Sequence, residues 1–324
     1  MESIIKNRKS LQLILFLIGL LILAYVIVKS GIIENYQILF TVSIPLIILA
    51  LFLSLGTIAL RIYRWKFLSE KYNTSISWHD ASLVSIASLF YANITPGKIG
   101  DLYKAYYMQK RYALNFFDGV SMIFYERFFE LMILFLGASA IVFIQLKGTT
   151  VIVLEITAVI LILLFFFYYK ADYILKILEK YSLKIPLLKK IPSDFKIRKL
   201  SFGNIIPVFI ITVFSLGLEF VRLWVVTLAF GYMLNPIQLT IFFCLSIIAG
   251  LASQIPLGVG VMEASLGYFL VLLGVAPTDA MAIVLTDRLI SMYFVLILGL
   301  YVPNMQRISS MECLNDIHSN TSVQ

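Results

Sequence analysis

Long apolar runs are the feature that most limits what this chain can fold into. A helix needs about 20 residues to cross a hydrocarbon core of about 30 Å, and runs of this kind cover 11–29, 40–62, 117–146, 150–169, 204–230 and 278–302. Only 14% of the 324 residues are charged, well below the usual share in a soluble protein. The sequence therefore predicts an all-α integral membrane protein, a polytopic helical bundle with six full spans.

Four other apolar segments are too short or too interrupted to be ordinary spans, and they occur in two pairs. The segments are 80–95 with 99–112, and 237–255 with 261–274. The members of each pair are joined by Pro and Gly, in "ITPGKIGD" and in "IPLGVGVME". Proline ends a helix and glycine permits a tight turn. Each pair therefore favours a re-entrant helical hairpin, which enters and leaves the membrane on the same side.

The basic residues predict the orientation. The cluster at 6–9 precedes the first apolar run, which we expect to be retained as a span because it lacks a small-residue cleavage site. The positive-inside rule then places the clusters at 61–71, 104–111 and 170–200 on the same side as the N-terminus. We predict a multi-pass protein of a prokaryotic cell membrane with both termini in the cytoplasm.

The predicted domain organisation is simple. One transmembrane domain covers 1–303, and a polar cytoplasmic tail covers 304–324. The basic cytoplasmic loop 170–203 contains "ADYILKILEKYSLK", in which apolar and basic residues fall on different helical faces. Two interpretations stay open for this loop: a solvated connector, or an interfacial helix that lies on anionic lipid.

The two halves of the chain, about 40–146 and 204–302, follow the same order of features. Each half has a Pro and a Gly four residues apart, and then an acid followed by Arg in the middle of its next span. The residues are Pro96, Gly100, Glu126 and Arg127 in the first half, and Pro256, Gly260, Asp287 and Arg288 in the second. An odd number of crossings separates the halves, which predicts an inverted repeat. Inverted repeats with broken helices are typical of secondary transporters, whose site lies near the midplane.

The acid–Arg pairs fall near the bilayer centre, where each charge costs about 2.5–3.5 kcal/mol on insertion scales. Glu126, Arg127, Asp287 and Arg288 therefore cannot face lipid tails. One explanation is a lattice of buried ion pairs that locks the bundle. The other is a polar cavity in which the planar guanidinium groups bind an anionic headgroup in bidentate fashion.

Other charged residues are spaced to pair along their own helix. Glu219 and Arg222 are three residues apart, as are Arg127 and Glu130. Residues at this spacing share a helix face, so we expect each of these acids to pair with the arginine on its own helix.

The hairpin tips have the composition of an anion site. Half-helices that begin near Ile99 and Val261 would present free N–H groups and a positive dipole end. Lys98 adds a cation, and Asp101 and Glu263 either cap these helices or form the lip of a pocket. The candidate substrate-binding residues are Lys98, Gly97, Gly100, Asp101, Glu126, Arg127, Gly258, Gly260, Glu263, Asp287 and Arg288.

The sequence contains few residues suited to catalysis or metal binding. Two histidines (His79, His318) and two cysteines (Cys244, Cys313) form neither a metal-ligand cluster nor a disulfide framework. No nucleophile–base constellation is visible in the sequence. We therefore predict no catalytic residue, no metal and no cofactor. The net charge of +8 is concentrated in short loops beside spans, which indicates anionic lipid headgroups rather than nucleic acid as partners.

Several motifs resemble one known family. They are "PGKIGD", the Glu126-Arg127 pair, "PLGVGVMEASLGYFLVLLGV" with "DAMAIVLTDRLISMY", and the terminal "LGL". From about residue 10 to 302 the chain resembles the flippase-like family, also called the lysylphosphatidylglycerol synthase transmembrane region. It departs from the family pattern at Leu257, where Pro-Gly-Gly is common, and at Asp287, where a neutral residue often precedes the arginine.

The resemblance implies a flippase-like transporter that moves an anionic or phosphate-bearing lipid between leaflets, such as a modified phospholipid or a polyprenyl-linked lipid. In two-domain members, similar to the multiple peptide resistance factor, this region flips aminoacylated phosphatidylglycerol made by a separate soluble domain. Only about twenty polar residues follow the last predicted span, so we expect no transferase domain and no enzyme activity. Two alternatives remain: a membrane-embedded lipid-modifying enzyme similar to a phosphatidylglycerol lysyltransferase, or a docking partner of a separate synthase or glycosyltransferase.

Overall fold

The computed structural model describes residues 2–139 and 200–299, and every regular element in these two ranges is helical. In chain order the α-helices are α1 (Glu2–Ser30), α2 (Ile44–Lys71), α3 (Trp78–Ile94), α4 (Leu102–Tyr112), α5 (Phe116–Ser139), α6 (Phe202–Ala229), α7 (Pro236–Ala252), α8 (Val261–Leu272) and α9 (Pro277–Arg288). The predicted all-α class is confirmed. The predicted span 150–169, most of the basic loop 170–203 and the tail 304–324 lie outside the described residues.

Among the described residues, four helical stretches are long and apolar enough to cross a membrane. They are Leu13–Ser30, Ile44–Lys71, Gly203–Ala229 and Pro277–Gly299, the last of which continues α9 through a π-helical turn. α5 has 24 residues and reaches about 36 Å at 1.5 Å per residue, but it contains several charged side chains. These helices identify the chain as an integral membrane protein.

α2 differs from its predicted bounds. Residues Tyr36–Phe40 form a short 3₁₀ helix, and α2 continues to Lys71 instead of ending near residue 62. Arg61 and Arg64 therefore lie within the helix, and the Arg64 side chain is only 3% exposed. The predicted end of this span near residue 62 was wrong, because Arg61 and Arg64 point into the bundle and have acidic partners there.

The two broken segments form short helices that pack in pairs. α3 and α7 have 17 residues each, α4 has 11 and α8 has 12. At 1.5 Å per residue none of them exceeds about 26 Å, so each is shorter than a hydrocarbon core of about 30 Å. α3 packs against α4, and α7 packs against α8. Short 3₁₀ helices at Pro96–Asp101 and Pro256–Gly258 form the tips of the two hairpins.

The elements of the two halves match in length and in local bonding. α2 and α6 have 28 residues each, and both are followed by a helix of 17 residues. After α2 the Thr74 N–H donates to the Ser69 carbonyl at 2.9 Å, and after α6 the Tyr232 N–H donates to the Thr227 carbonyl at 3.0 Å. The same turn therefore connects the first long helix to the hairpin in both halves.

α2 and α6 lie against each other in the middle of the molecule and run antiparallel. The Ser43 N–H before α2 donates to the Ala229 carbonyl at the end of α6, at 3.0 Å. Further along, the Arg64 guanidinium donates to Thr212 Oγ1 at 3.0 Å. Two apolar cores lie toward opposite ends of this helix pair: one contains Trp65 of α2 with Val208 of α6, and the other contains Ala50 of α2 with Leu223 of α6.

α1 crosses the tip of the second hairpin at very close range. A Cβ atom on Gly19 would lie 2.6 Å from the Val259 carbonyl oxygen. A Cβ atom on Gly260 would lie 2.2 Å from the Gly19 carbonyl oxygen, and the Gly260 φ of +83° is itself unfavourable for other residues. Glycine at both positions is therefore what allows α1 to pack on this tip.

Candidate substrate-binding cavity

A cavity of about 610 Å³ lies between the two halves and is bounded by both hairpin tips. This volume falls within the range of about 300–1,000 Å³ that is usual for ligand sites. α2, α3, α5, α6, α7 and α9 contribute to its wall. Most lining side chains are apolar, and the charged ones are Arg61, Lys98, Arg127, Glu130, Glu219, Arg222 and Arg288.

On the side of the first hairpin, two carboxylates hold Arg127. Its Nε donates to Asp101 Oδ2 at 2.6 Å, and its Nη1 donates to Glu130 Oε2 at 2.5 Å. Ser88 donates to the other Asp101 oxygen at 2.8 Å. Asp101 therefore positions Arg127 and makes no side-chain capping bond. Asp101 is the N-cap residue of α4, but the capping bond predicted for it was wrong, because Ser88 and Arg127 take both of its carboxylate oxygens.

Behind the cavity wall, Glu126 joins two further cations. Its carboxylate accepts from Arg64 Nε at 3.1 Å and from Lys104 Nζ at 2.7 Å. Arg64 also donates to Glu130 at 2.8 Å, so this network is continuous with the ion pairs of Arg127. Glu126, Arg64 and Lys104 are all buried, and each charge has a partner of the opposite sign.

On the side of the second hairpin, Arg222 pairs with Asp287 at 2.9 Å and Arg288 pairs with Glu263 at 2.8 Å. The second Glu263 oxygen accepts from the Gly260 N–H at 2.7 Å, so the predicted cap at Glu263 is confirmed. Arg288 also donates to the Leu257 carbonyl at 2.7 Å. The guanidinium of Arg288 therefore links the tip of this hairpin to α9.

The same pattern of ion pairs is built in both halves. An arginine on the long central helix pairs with the acid of the acid–Arg dipeptide, and the arginine of that dipeptide pairs with the acid that opens the second hairpin helix. The corresponding pairs are Arg64–Glu126 with Arg222–Asp287, and Arg127–Asp101 with Arg288–Glu263. Each half therefore supplies the arginine of its dipeptide, held by a buried carboxylate, to the cavity wall.

A further ion pair joins the halves directly. Arg61 on α2 donates to Glu219 on α6 at 2.6 Å. The predicted pairing of Glu219 with Arg222 was wrong, because Arg222 is taken by Asp287 on a different helix. A surface ion pair along one helix contributes only about 0.2–0.5 kcal/mol to stability. Buried ion pairs with neighbouring helices therefore form instead. The pairing of Arg127 with Glu130 is confirmed.

Lys98 differs from the other cations of the wall. It lies at the tip of the first hairpin with φ of +56°, and its ammonium makes no hydrogen bond or ion pair with any described residue. It lies within the electrostatic range of Arg127 and Glu130. Within the two described ranges, Lys98 is therefore a cation on the cavity wall that has no ion-pair partner.

Arg288 keeps hydrogen-bonding capacity toward the cavity. A guanidinium carries five N–H donors. Beyond its bonds to Glu263 and Leu257, its Nη1 contacts only the Met262 sulfur, at 3.2 Å. Thioether sulfur is a weak acceptor, so an anion in the cavity would be a better partner for this nitrogen.

The tip glycines fall into two groups. Gly258 lines the cavity, and Gly97 lies in the Pro96–Asp101 turn. A Cβ atom on Gly100 would lie 2.2 Å from the Tyr91 backbone, so the close approach there is to α3. At Gly260 the close approach is to α1. The structure thus brings Lys98, Arg127, Gly258 and Arg288 to the wall and places behind it Gly100, Asp101, Glu126, Gly260, Glu263 and Asp287.

Four charged lining residues were absent from the predicted site: Arg61, Glu130, Glu219 and Arg222. A signal for two of them exists in the sequence. Arg61 precedes Arg64 by three residues, as Glu219 precedes Arg222, so the first members occupy equivalent places in the two halves. Opposite charges at equivalent positions of two antiparallel helices are able to meet, as they do here.

An α-helical integral membrane protein with a charged cavity between two hairpin tips is the class that this fold and site define. The chain belongs to the family described as lysylphosphatidylglycerol synthase TM region, whose family model matches residues 12–299. The resemblance seen in the motifs is therefore confirmed.

Two curated relatives are full-length matches. The chain is similar to a UPF0104 membrane protein of Methanothermobacter thermautotrophicus, with 26% identity over 311 residues, which covers 88% of this chain and 90% of that protein. It is also similar to a UPF0104 membrane protein of Methanocaldococcus jannaschii, with 24% identity over 321 residues, which covers 91% and 94%.

Proposed function

We propose that this protein is a flippase-like transporter that moves an anionic or phosphate-bearing lipid between the leaflets of the cell membrane. The observation that carries the proposal is the cavity, because its largely apolar wall also holds Arg127, Arg288 and the unpaired Lys98. An amphipathic lipid needs both kinds of surface: cations for its headgroup and apolar side chains for the adjoining acyl or isoprenoid chains.

The proposal includes an architecture. The two halves are inverted repeats, and α3–α4 and α7–α8 are re-entrant hairpins that enter from opposite sides. The antiparallel course of α2 and α6 and the matching ion pairs of the two halves support this arrangement. In such a repeat the site lies near the midplane, and rocking of one half against the other exposes it to each leaflet in turn. Both termini are then cytoplasmic.

We propose that the lipid is moved without being modified. In the described network each buried carboxylate is engaged by an arginine or lysine, which supports a structural role for these acids. A lipid-modifying enzyme would change the headgroup of the lipid added, and a docking partner would be inactive without a separate synthase or glycosyltransferase. Mass spectrometry of lipid before and after incubation with the protein alone separates these alternatives from transport.

Reconstituted vesicles test the proposal. Protein-containing vesicles with headgroup-labelled phosphatidylglycerol should lose signal from both leaflets when a membrane-impermeant quencher is added. Protein-free vesicles should lose signal from the outer leaflet only. Arg288→Lys keeps the charge but lacks the bidentate fork, so it should slow transport. Arg111→Gln is a matched control because the Arg111 side chain is 62% exposed and outside the cavity. Equal loss with and without protein would reject transport of this lipid.

A further inference from the structure

We propose that the cavity binds one phosphodiester, a group with a single negative charge, and that Lys98 sets this preference over phosphomonoesters and diphosphates. This inference rests on the proposed function and narrows its substrate class. Among lipids it selects polyprenyl phosphosugars and those phospholipids whose phosphate is a diester, such as phosphatidylglycerol. It disfavours polyprenyl phosphates, polyprenyl diphosphates and phosphatidic acid.

The charges of the network lead to this assignment. In the network around the cavity, as far as the described residues go, ion pairs join six cations to six carboxylates. The cations are Arg61, Arg64, Lys104, Arg127, Arg222 and Arg288. The carboxylates are Asp101, Glu126, Glu130, Glu219, Glu263 and Asp287. These charges cancel, and Lys98 adds one positive charge that faces the cavity.

A net charge inside a membrane is unfavourable because the surroundings have a low dielectric constant. An empty cavity therefore has an excess of one positive charge, and a phosphodiester removes it. A phosphomonoester carries nearly two negative charges above pH 7, so its entry would leave an excess of one negative charge. A neutral lipid would leave Lys98 without a counter-ion.

The backbone at the tip presents Lys98 to the cavity in a fixed way. A non-glycine residue at positive φ is uncommon and occurs often at functional sites. The Gly100 N–H donates to Thr95 Oγ1 at 2.8 Å and closes the turn around Lys98. The second tip has Leu257 at φ of +64°, where it also lines the cavity. The first tip therefore offers a cation for the phosphate. The second tip offers an apolar side chain for the adjoining apolar part of the lipid.

Binding measurements on the purified full-length protein in detergent test this inference. The probes are short-chain phosphatidylglycerol, a phosphodiester, and short-chain phosphatidic acid, a phosphomonoester, both titrated at pH 7.4. The wild-type protein should bind phosphatidylglycerol more tightly. Lys98→Gln should weaken that binding by roughly tenfold or more, as expected for loss of a charge-assisted contact. Lys98→Arg should retain most of it. Lys71→Gln is the matched control, because Lys71 is exposed at the end of α2 and outside the cavity, and it should bind as wild type.

The outcomes separate this inference from the proposed function. Tighter binding of phosphatidic acid by the wild-type protein, or unchanged phosphatidylglycerol binding by Lys98→Gln, would overturn the single-charge assignment even if vesicle transport is observed. Should Lys98→Gln fail to fold, the wild-type preference between the two lipids and the Lys98→Arg variant still decide the matter. Absence of binding and of transport for both lipids would reject the proposed function itself.

Discussion

Each buried arginine of the cavity network depends on a carboxylate that lies on another helix. Glu263 is 1% exposed and contacts both Arg288 and the Gly260 N–H. Asp287 is the chain neighbour of Arg288, yet it pairs with Arg222. The consequence of removing one charge is therefore set by its tertiary partner and not by its neighbour in the sequence.

Removal of Arg288 should destabilise the protein through Glu263. Arg288→Ala leaves a buried carboxylate without its counter-ion, at a cost of about 3–5 kcal/mol. Adding Glu263→Gln removes that charge and keeps an acceptor for the Gly260 N–H, so the double variant should recover much of the melting temperature in detergent. Transport should stay low in both variants because the cavity has lost the guanidinium of Arg288.

The matched comparison is Arg288→Ala with Asp287→Asn. This second change leaves Arg222 without its partner, so the double variant should be less stable than Arg288→Ala alone. Recovery with Asp287→Asn and not with Glu263→Gln would contradict the pairing described here.

At this scale the sequence predicted which charges are buried but, except for Arg127 with Glu130, not how they pair. Glu126, Arg127, Asp287 and Arg288 are conspicuous because acids and arginines are rare within apolar runs. Apart from Glu130, which lies three positions after Arg127, their partners lie 22 to 65 positions away in the chain. Spacing along one helix carries no information about such distant contacts. The wrong pairing of Glu219 has this cause.

Among the elements, α1 and the second hairpin show how small residues fix a contact between helices. Gly19 lies in the middle of an ordinary apolar span, so nothing in its surroundings indicates a special role. Its role is visible only where α1 meets Val259 and Gly260. By contrast the hairpins themselves were predictable, because Pro and Gly mark their tips and the flanking segments are too short to span.

Enlarging Gly19 should therefore separate α1 from the second hairpin. In Gly19→Ala the added methyl group would lie 2.6 Å from the Val259 oxygen, and relief of this overlap should cost about 1–3 kcal/mol. Gly267→Ala is the control, because this helical glycine has no atom within 4 Å of an added Cβ and alanine is the better helix former. Melting temperatures should fall for the first variant and stay level or rise for the second. Equal effects would mean that the contact does not hold α1 in place.

The hairpins also make a topological prediction. If each is re-entrant, the two ends of one hairpin lie on the same side of the membrane. Single cysteines in a background without Cys244 and Cys313 should report this. Cysteines at Met233 and Ala276 should react with an impermeant reagent in intact cells, and cysteines at Ser75 and Gln109 only after permeabilisation. All four positions are exposed in the structure. Opposite accessibility of the two ends of a hairpin would show that it crosses the membrane.

In the whole molecule, the two halves share a plan but differ in charge. Glu130 lies four residues after Glu126 and supplies a second carboxylate to Arg127. The residue four positions after Asp287 is Ser291, which lines the cavity without a charge. Lys98 has no cationic counterpart at the second tip, where Leu257 and Gly258 stand. The first half therefore contributes more charged side chains to the network. In the second half, more of the N–H donors of Arg288 stay free for a ligand.

The ion pair of Arg61 with Glu219 allows a test of the equivalence of the two halves. The two residues occupy equivalent places on antiparallel helices, so exchanging their charges should preserve the contact between the halves. The side chains are 23% and 14% exposed, so Arg61→Glu or Glu219→Arg alone should cost about 1–3 kcal/mol, less than for a fully buried pair. The double variant should melt within a few degrees of the parent, because the opposite charges again face each other.

The same exchange at Lys66 and Glu70, a pair in which Glu70 is 47% exposed, should change little either way. If the double variant at 61 and 219 is as unstable as the sum of its single variants, the pair does not couple the halves.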